Sequence, residues 1–144
     1  MISVVSGKQR EFYEWELNVG KLVNIVSYHT NPLLSSKVED FLEIHTPNQK
    51  ECYETAYKLV DMYDDIEYVE GLINFKGIPI EHAWNYYRGI YFDLTGEIVF
   101  EREMGDEYLQ LIKIKQRKMH ELALLTGTYC PYYIEYYKKY VLRI

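Results

Sequence analysis

Two cysteines, four prolines and no long apolar run set the first limits on this 144-residue chain. So few thiols exclude a disulfide-stapled scaffold and a four-cysteine zinc site. No C-x-x-C pair occurs, and His29, His45 and His120 are scattered at no ligand spacing. No window approaches the roughly 20 apolar residues needed to span a bilayer. Residues 1–20 alternate apolar and charged groups, without the apolar core of a signal peptide. A cytoplasmic protein with free thiols is the expectation, Cys52–Cys130 pairing being the alternative. Neither a metal, a cofactor nor a membrane is expected.

Positive charge is scarce as well: 16 Lys and Arg against 22 Asp and Glu leave a net −6. The deficit is local. Residues 1–36 balance to zero, 37–112 carry −11 and 113–144 carry +5. The acidic middle would repel a run of phosphates, so nucleic acid is not an expected partner. Lys113, Lys115, Arg117 and Lys118 are expected to fold back on that acidic segment. What the chain has in quantity is tyrosine, 16 residues whose rings and hydroxyls suit thin cores, half-buried surfaces and interfaces. The length fits a single domain over residues 1–144 with one hydrophobic core.

Residues 8–29 place Phe12, Trp15, Val19, Leu22, Val23 and Val26 at helical spacing. They predict an amphipathic helix weakened at Gly20, although 22–27 would also suit a strand. Asn31-Pro32 ends that segment, and a short helix follows in which Val38, Phe41, Leu42 and His45 share a face. Residues 46–51, Thr-Pro-Asn-Gln-Lys-Glu, form a dense helix start with two registers, N-capped by Thr46 or by Asn48. Either register puts Cys52, Ala56, Leu59, Val60 and Tyr63 on one face, and Asp64-Asp65 opposes continuation. Residues 66–75 read as a strand and Gly77-Ile78-Pro79 as a break. Residues 82–85 and 90–93 read as a hairpin turned at Gly89. A third strand is expected over 97–101. Residues 108–114 read as strand or helix entry, and 116–125 as a helix stopped by Gly127. Pro131 opens a last helix lined on one side by Tyr133, Ile134, Tyr137, Tyr140 and Val141.

Between residues 52 and 95 a cysteine opens a helix, a histidine sits on one strand and an aspartate on the next. A thiolate is the attacking form of cysteine, and both a helix N-terminus and a neighbouring imidazole favour it. Glu51 and Glu54 oppose ionisation slightly, which leaves His82 as the main activator. A four-residue loop, Tyr86-Tyr87-Arg88-Gly89, would pair Asn85 with Ile90 and set His82 opposite Asp93. Opposed Cβ atoms lie roughly 4.5–5.5 Å apart, within reach for Asp93 to take the ring N–H and fix the tautomer. A three-residue loop would put the two on opposite faces. An oxyanion stabiliser is available from the Cys52 N–H or from the Gln49 or Asn48 side chain, although such amides also cap helices. Trp84 either shields the pair from water or fills the core. A single cysteine on an apolar helix face is also an ordinary small core residue.

Cys52-Tyr53-x-x-Ala56, Tyr68-Val69-x-Gly71, His82-Ala83-Trp84 and Asp93-x-Thr95 together resemble the core of the transglutaminase-like, papain-like cysteine enzymes, over 44 of the 144 residues. The resemblance implies an α+β fold with a papain-like (transglutaminase-like) core. In it a cysteine-bearing helix packs on an antiparallel sheet, flanked by N- and C-terminal helices. It implies Cys52 as nucleophile, His82 as general base and acid, and Asp93 as the group that orients the imidazole. Glu51 stands where many relatives have a small residue, and Asp93-Leu94-Thr95 replaces their Asp-Pro-Thr. Neither departure removes a catalytic group. The implied activity is thiol-dependent amide hydrolysis or acyl transfer through a thioester, on a protein, peptide or small amide. A catalytically silent binding module of the same fold, using a tyrosine-rich surface, is the other expectation.

Overall fold

The structure, a computed structural model, describes residues 20–48, 50–100, 107–129 and 131–142. Five strands, β1 (Lys21–Val23), β2 (Glu67–Phe75), β3 (Ile78–Tyr87), β4 (Ile90–Phe92) and β5 (Glu107–Ile114), form one antiparallel sheet in the order β1-β5-β2-β3-β4. The α-helices among the described residues are α1 (Pro32–Ile44), α2 (Cys52–Met62), α3 (Leu94–Ile98), α4 (Gln116–Thr126) and α5 (Tyr133–Tyr136). The last continues as a wider π-turn over Tyr137–Leu142. The architecture is α+β. No helix among the described residues is long and apolar enough to cross a membrane.

Both hairpins turn on two residues. Lys76-Gly77 (φ 53° and 85°) joins β2 to β3, and Arg88-Gly89 (φ 43° and 87°) joins β3 to β4. Positive φ at both central residues gives a twist that matches the flanking right-handed strands. The break expected at Gly77-Ile78-Pro79 is therefore narrower than its sequence suggests. Ile78 and Pro79 already belong to β3, with Pro79 opposite Asn74.

The sheet curls until its edges meet. Ile25, two residues beyond β1, bridges to Tyr91 of β4 at the opposite edge, and the Val26 N–H donates to the Tyr91 carbonyl at 2.9 Å. Between Glu70 and Gly71 the β2–β5 register slips, and such a bulge sharpens the bend. Gly71 is required there. A Cβ at that position would lie 1.8 Å from the Leu109 carbonyl oxygen and 2.9 Å from Trp84 Cη2.

Two cores result. Val69, Ile73, Trp84 and Tyr108 fill the concave side, with Val23, Ile25, Tyr86 and Tyr91 packed against them. The helices cover the other face, where Val38 and Phe41 of α1, Ala56, Leu59 and Val60 of α2, and Met119 and Leu122 of α4 join the sheet residues Tyr68, Ala83 and Tyr87. Strand alternation divides β3 accordingly: His82, Trp84 and Tyr86 point to one side, Ala83, Asn85 and Tyr87 to the other. Glu70, buried on β2, ties the C-terminal segment down by accepting from the backbone N–H groups of Tyr132 (2.7 Å) and Tyr133 (2.9 Å) and from the Tyr68 hydroxyl. Burial pushes its carboxyl up to about 8, although these three donors pull the other way.

Several expectations change. The helix over 8–29 does not extend through its second half, where Lys21–Val23 form an edge strand and Tyr28–Thr30 a single 3-10 turn; residues 8–19 lie outside the described residues. The β-branched run at 22–26 has a sheet edge to pair with, which outweighs its helical spacing. Asn31-Pro32 ends the 3-10 turn, as expected, and also starts a helix. The Asn31 side chain accepts from the N–H groups of Leu33 and Leu34, and Pro32 takes the first turn, where its missing N–H costs nothing. The strand expected over 97–101 is helix α3 as far as Ile98, because Asp93 caps it; Glu101 lies outside the described residues. Residues 108–114 resolve as strand β5, and α4 ends at Gly127 as expected. On the C-terminal segment Tyr132, Tyr133 and Tyr137 are buried, whereas Ile134 and Val141 are exposed. Among the described residues Lys113, Lys115, Arg117 and Lys118 make no direct ion pair with a carboxylate, although the Lys118 charge acts on Glu121. Lys113 instead lies 3.8 Å from the Tyr86 ring centre, and Lys118 lies 4.3 Å from that of Tyr140.

Gly71→Ala is expected to lower stability by at least about 1–3 kcal/mol, because the clash is with backbone and an overpacked site must displace it. Urea denaturation followed by circular dichroism measures this. An unchanged midpoint would mean that β2 and β5 separate here at no cost.

Candidate functional site

Cys52 occupies the first helical position of α2, immediately after Glu51 as N-cap. Neither expected capping register holds. Glu51 makes no side-chain cap bond, and Asn48 instead closes the preceding turn, its carbonyl accepting from Glu51 N–H (3.0 Å) and its side-chain oxygen from Lys50 N–H (3.1 Å). The consequence favours chemistry, since Cys52 now lies in the first turn, where the helix dipole is strongest. Its side chain is half-buried and in no disulfide. Gln49 and Cys130 lie outside the described residues.

Helix α2 is held on the sheet by apolar contact and by one buried amide. Asn85, 1% exposed, donates from Nδ2 to the carbonyl oxygens of Ala56 (3.1 Å) and Glu67 (3.2 Å), linking α2, β2 and β3 through a single side chain. Three residues earlier on β3 stands His82, so the same strand that pins the helix also carries the imidazole.

The hairpin is shorter than expected, yet the geometry it was required to give is retained. Tyr87 pairs with Ile90, Tyr86 with Tyr91 and Asn85 with Phe92, so the loop is Arg88-Gly89 rather than four residues. Two and four are both even, and an even change of register keeps each side chain on its face. His82 and Asp93 thus share a side, offset along the strands rather than directly opposed. His82 Nε2 lies 2.9 Å from Asp93 Oδ2, and both residues are 2% exposed. With Nε2 committed to Asp93, Nδ1 is the nitrogen left for Cys52, whose side chain acts on the imidazole. The structure thus pairs His82 with Asp93 and brings Cys52 near enough to act on the imidazole.

Asp93 is fixed on every side. Besides His82 it accepts from the Gly96 N–H at Oδ1 (3.0 Å), as the N-cap of α3, and from the Tyr108 hydroxyl at Oδ2 (2.6 Å). Trp84 is stacked on His82 with ring centres 6.2 Å apart and planes at 21°. Tyr108 stands edge-on to Trp84 at 5.1 Å. The tryptophan is a core residue packed against the imidazole. Tyr108, Gly96 and Asn85 are site residues that sequence reasoning missed. Asp93-x-x-Gly96 is an N-cap spacing and was legible in principle, but Tyr108 reaches the site only through the curl of the sheet.

Burial works against charge on His82, yet the negative charge and hydrogen bond of Asp93, with the Cys52 contact, push its titration up to about 10. Burial likewise works against charge on Asp93, but the His82 charge and hydrogen bond and the Tyr108 and Gly96 donors hold its carboxyl below the usual aspartate value. No group of three or more His, Cys, Asp or Glu among the described residues is placed to hold a metal ion. No protein-family model, curated protein or solved structure matches the chain.

Because folding raises the proton affinity of His82, its stabilising contribution is full below about pH 6.5 and is lost as pH rises through about 10. Glu70 adds a fall of the same sign between about 4.5 and 8. Urea midpoints collected from pH 6 to 10.5 should therefore decline, and above pH 8 the decline should be shallower in His82→Gln than in the wild type. Parallel curves above pH 8 would show that His82 does not hold its proton through Asp93.

Proposed function

We propose that the chain is a thiol enzyme that cleaves or transfers acyl groups through a thioester on Cys52. The observation that carries this reading is the buried pairing of the His82 imidazole with the Asp93 carboxylate, with Cys52 near enough to act on that imidazole from the first turn of a helix. The imidazole and the start of α2 are the two positive neighbours that the sulfur has for this chemistry. The sulfur lone pair attacks the carbonyl carbon of an amide, and the carbonyl π electrons move to oxygen. The Cys52 backbone N–H, at a helix end without an intrahelical partner, is a donor for that oxyanion. Collapse of the adduct breaks the C–N bond while His82 gives its proton to the departing amine, leaving a thioester and a neutral imidazole. His82 then takes a proton from water or from a second amine as that nucleophile attacks the thioester and expels the thiolate. Water makes the protein an amidase or peptidase, and an amine makes it an acyltransferase.

A helix that starts at cysteine, packed on an antiparallel sheet whose successive strands supply histidine and aspartate, supports kinship with the transglutaminase-like, papain-like core. One observation favours the catalytically silent binding module: His82 is 2% exposed, so a substrate meets the site only from the Cys52 side.

Alkylation by chloroacetamide separates the two readings. Cys52 in the wild type should react at least about tenfold faster than Cys130 and than free cysteine at pH 7, and His82→Ala should remove that advantage. Equal rates at the two cysteines, unchanged by His82→Ala, would leave the binding module as the reading.

A further inference from the structure

We propose that Tyr108 is a positioning residue that sets the acid–base balance of the site by sharing the Asp93 carboxylate with His82. This rests on the reading of Cys52, His82 and Asp93 as the reacting groups, but its test does not depend on turnover. Oδ2 of Asp93 receives two donors, His82 Nε2 at 2.9 Å and the Tyr108 hydroxyl at 2.6 Å. A carboxylate that gives part of its charge to a second donor holds the imidazolium proton less firmly. In an acyl-transfer cycle this matters because His82 must release its proton to a leaving amine and then take one back. An imidazolium held too tightly would slow the release, since a stronger base is a weaker acid.

The surroundings are arranged for that contact. Gly96 leaves the space the hydroxyl needs, since a Cβ there would lie 3.3 Å from Tyr108 Oη and 2.5 Å from Asp93 Oδ2. Trp84 packs against the flank of the Tyr108 ring and directs it past His82, the two rings standing edge-on at 6.4 Å. Asp93 is held independently by the Gly96 N–H as the cap of α3. Loss of the tyrosine hydroxyl therefore leaves the carboxylate in place and changes chiefly its charge.

The other titratable groups nearby are Cys52 and Tyr53 on α2, Glu70 on β2, Glu81 on β3 and Glu97 on α3. Cys52 acts on His82, and Tyr53 feels Glu70, Cys52 and Glu81. Glu70 is engaged by Tyr68, Tyr132 and Tyr133, and Glu97 by Ser27 and the Tyr28 N–H. Direct influence on His82 comes from Asp93 and Cys52, and Tyr108 acts through the first of these.

The test is an NMR titration of the ring nitrogens in 15N-histidine-labelled protein, with the His82 signals assigned from His82→Gln. Tyr108→Phe should move the His82 titration upward by about one pH unit, the order expected for loss of one charge-assisted hydrogen bond. The alkylation rate of Cys52, followed over the same pH range, should shift with it. An unmoved or lowered His82 titration would overturn the proposal. Should Tyr108→Phe fail to fold, 3-fluorotyrosine placed at position 108 keeps the ring and strengthens the donor. It should then lower the His82 titration, and no change or a rise would overturn the proposal. The two readings fail separately. Slow alkylation of wild-type Cys52 counts against the thiol enzyme, whereas a fixed His82 titration counts against Tyr108 alone.

Discussion

An ion pair removed from water is the constraint around which this fold is arranged. His82 and Asp93 are each 2% exposed, and at that depth an unpaired charge costs several kcal/mol. Their mutual attraction offsets that cost only if the remaining hydrogen-bonding capacity is filled. Gly96 N–H and the Tyr108 hydroxyl fill it on Asp93, and the thiol of Cys52 meets the other side of the imidazole. Asp93 follows β4 and Tyr108 lies on β5, with β2 and β3 between them. In a flat sheet three inter-strand steps would separate them by roughly 14 Å, beyond the reach of a tyrosine. The curl closes that gap. The bulge at Gly71, the edge-to-edge bridge from Ile25 to Tyr91 and the hydrogen bond from Tyr108 to Asp93 are therefore parts of one requirement.

Strand β3 carries the second requirement, which is to hold the thiol against the imidazole. Its alternation gives His82 and Trp84 to one side of the sheet and Asn85 to the helix side. Asn85 binds the Ala56 carbonyl one turn beyond Cys52. The distance between Cys52 and His82 is thus set by a rigid strand and one buried amide rather than by the loop before α2. This explains how a helix start with no side-chain cap can still present its first residue at a defined place.

Much of this was legible in the chain, for physical reasons that differ by element. The helix face of Cys52, Ala56, Leu59 and Val60 follows from local periodicity, as do strand 66–75 and the helix ending at Gly127. The pairing of His82 with Asp93 followed from parity: the loop length assumed was wrong by two residues, and an even error leaves faces unchanged. Elements that depend on distant partners were not legible. Leu22 and Val23 have helical spacing and become a strand because β5 offers an edge. Residues 97 and 98 look extended and become helix because Asp93, whose side chain is also engaged by His82, caps them. Tyr108 is one tyrosine among 16, and nothing local distinguishes it. Its role depends on a contact across the concave face, which composition and spacing do not encode.

The polar character of this interior bears on why it exists. A buried ion pair is a weak source of stability, and well-packed apolar side chains of similar volume commonly serve a fold as well or better. The concave side already has an apolar filling in Val69, Ile73, Trp84 and their neighbours. Packing alone therefore gives no reason to set a histidine, an aspartate and a tyrosine hydroxyl beside it, nor to require Gly96 so that two of them can meet. A charge held there does have a use if a half-buried sulfur at a helix start needs a neighbour that can hold and release a proton. The thiol at the edge of the network, the imidazole within it and the carboxylate at its centre have the order that proton transfer requires, and the reading of the protein as a thiol enzyme draws its support from that order.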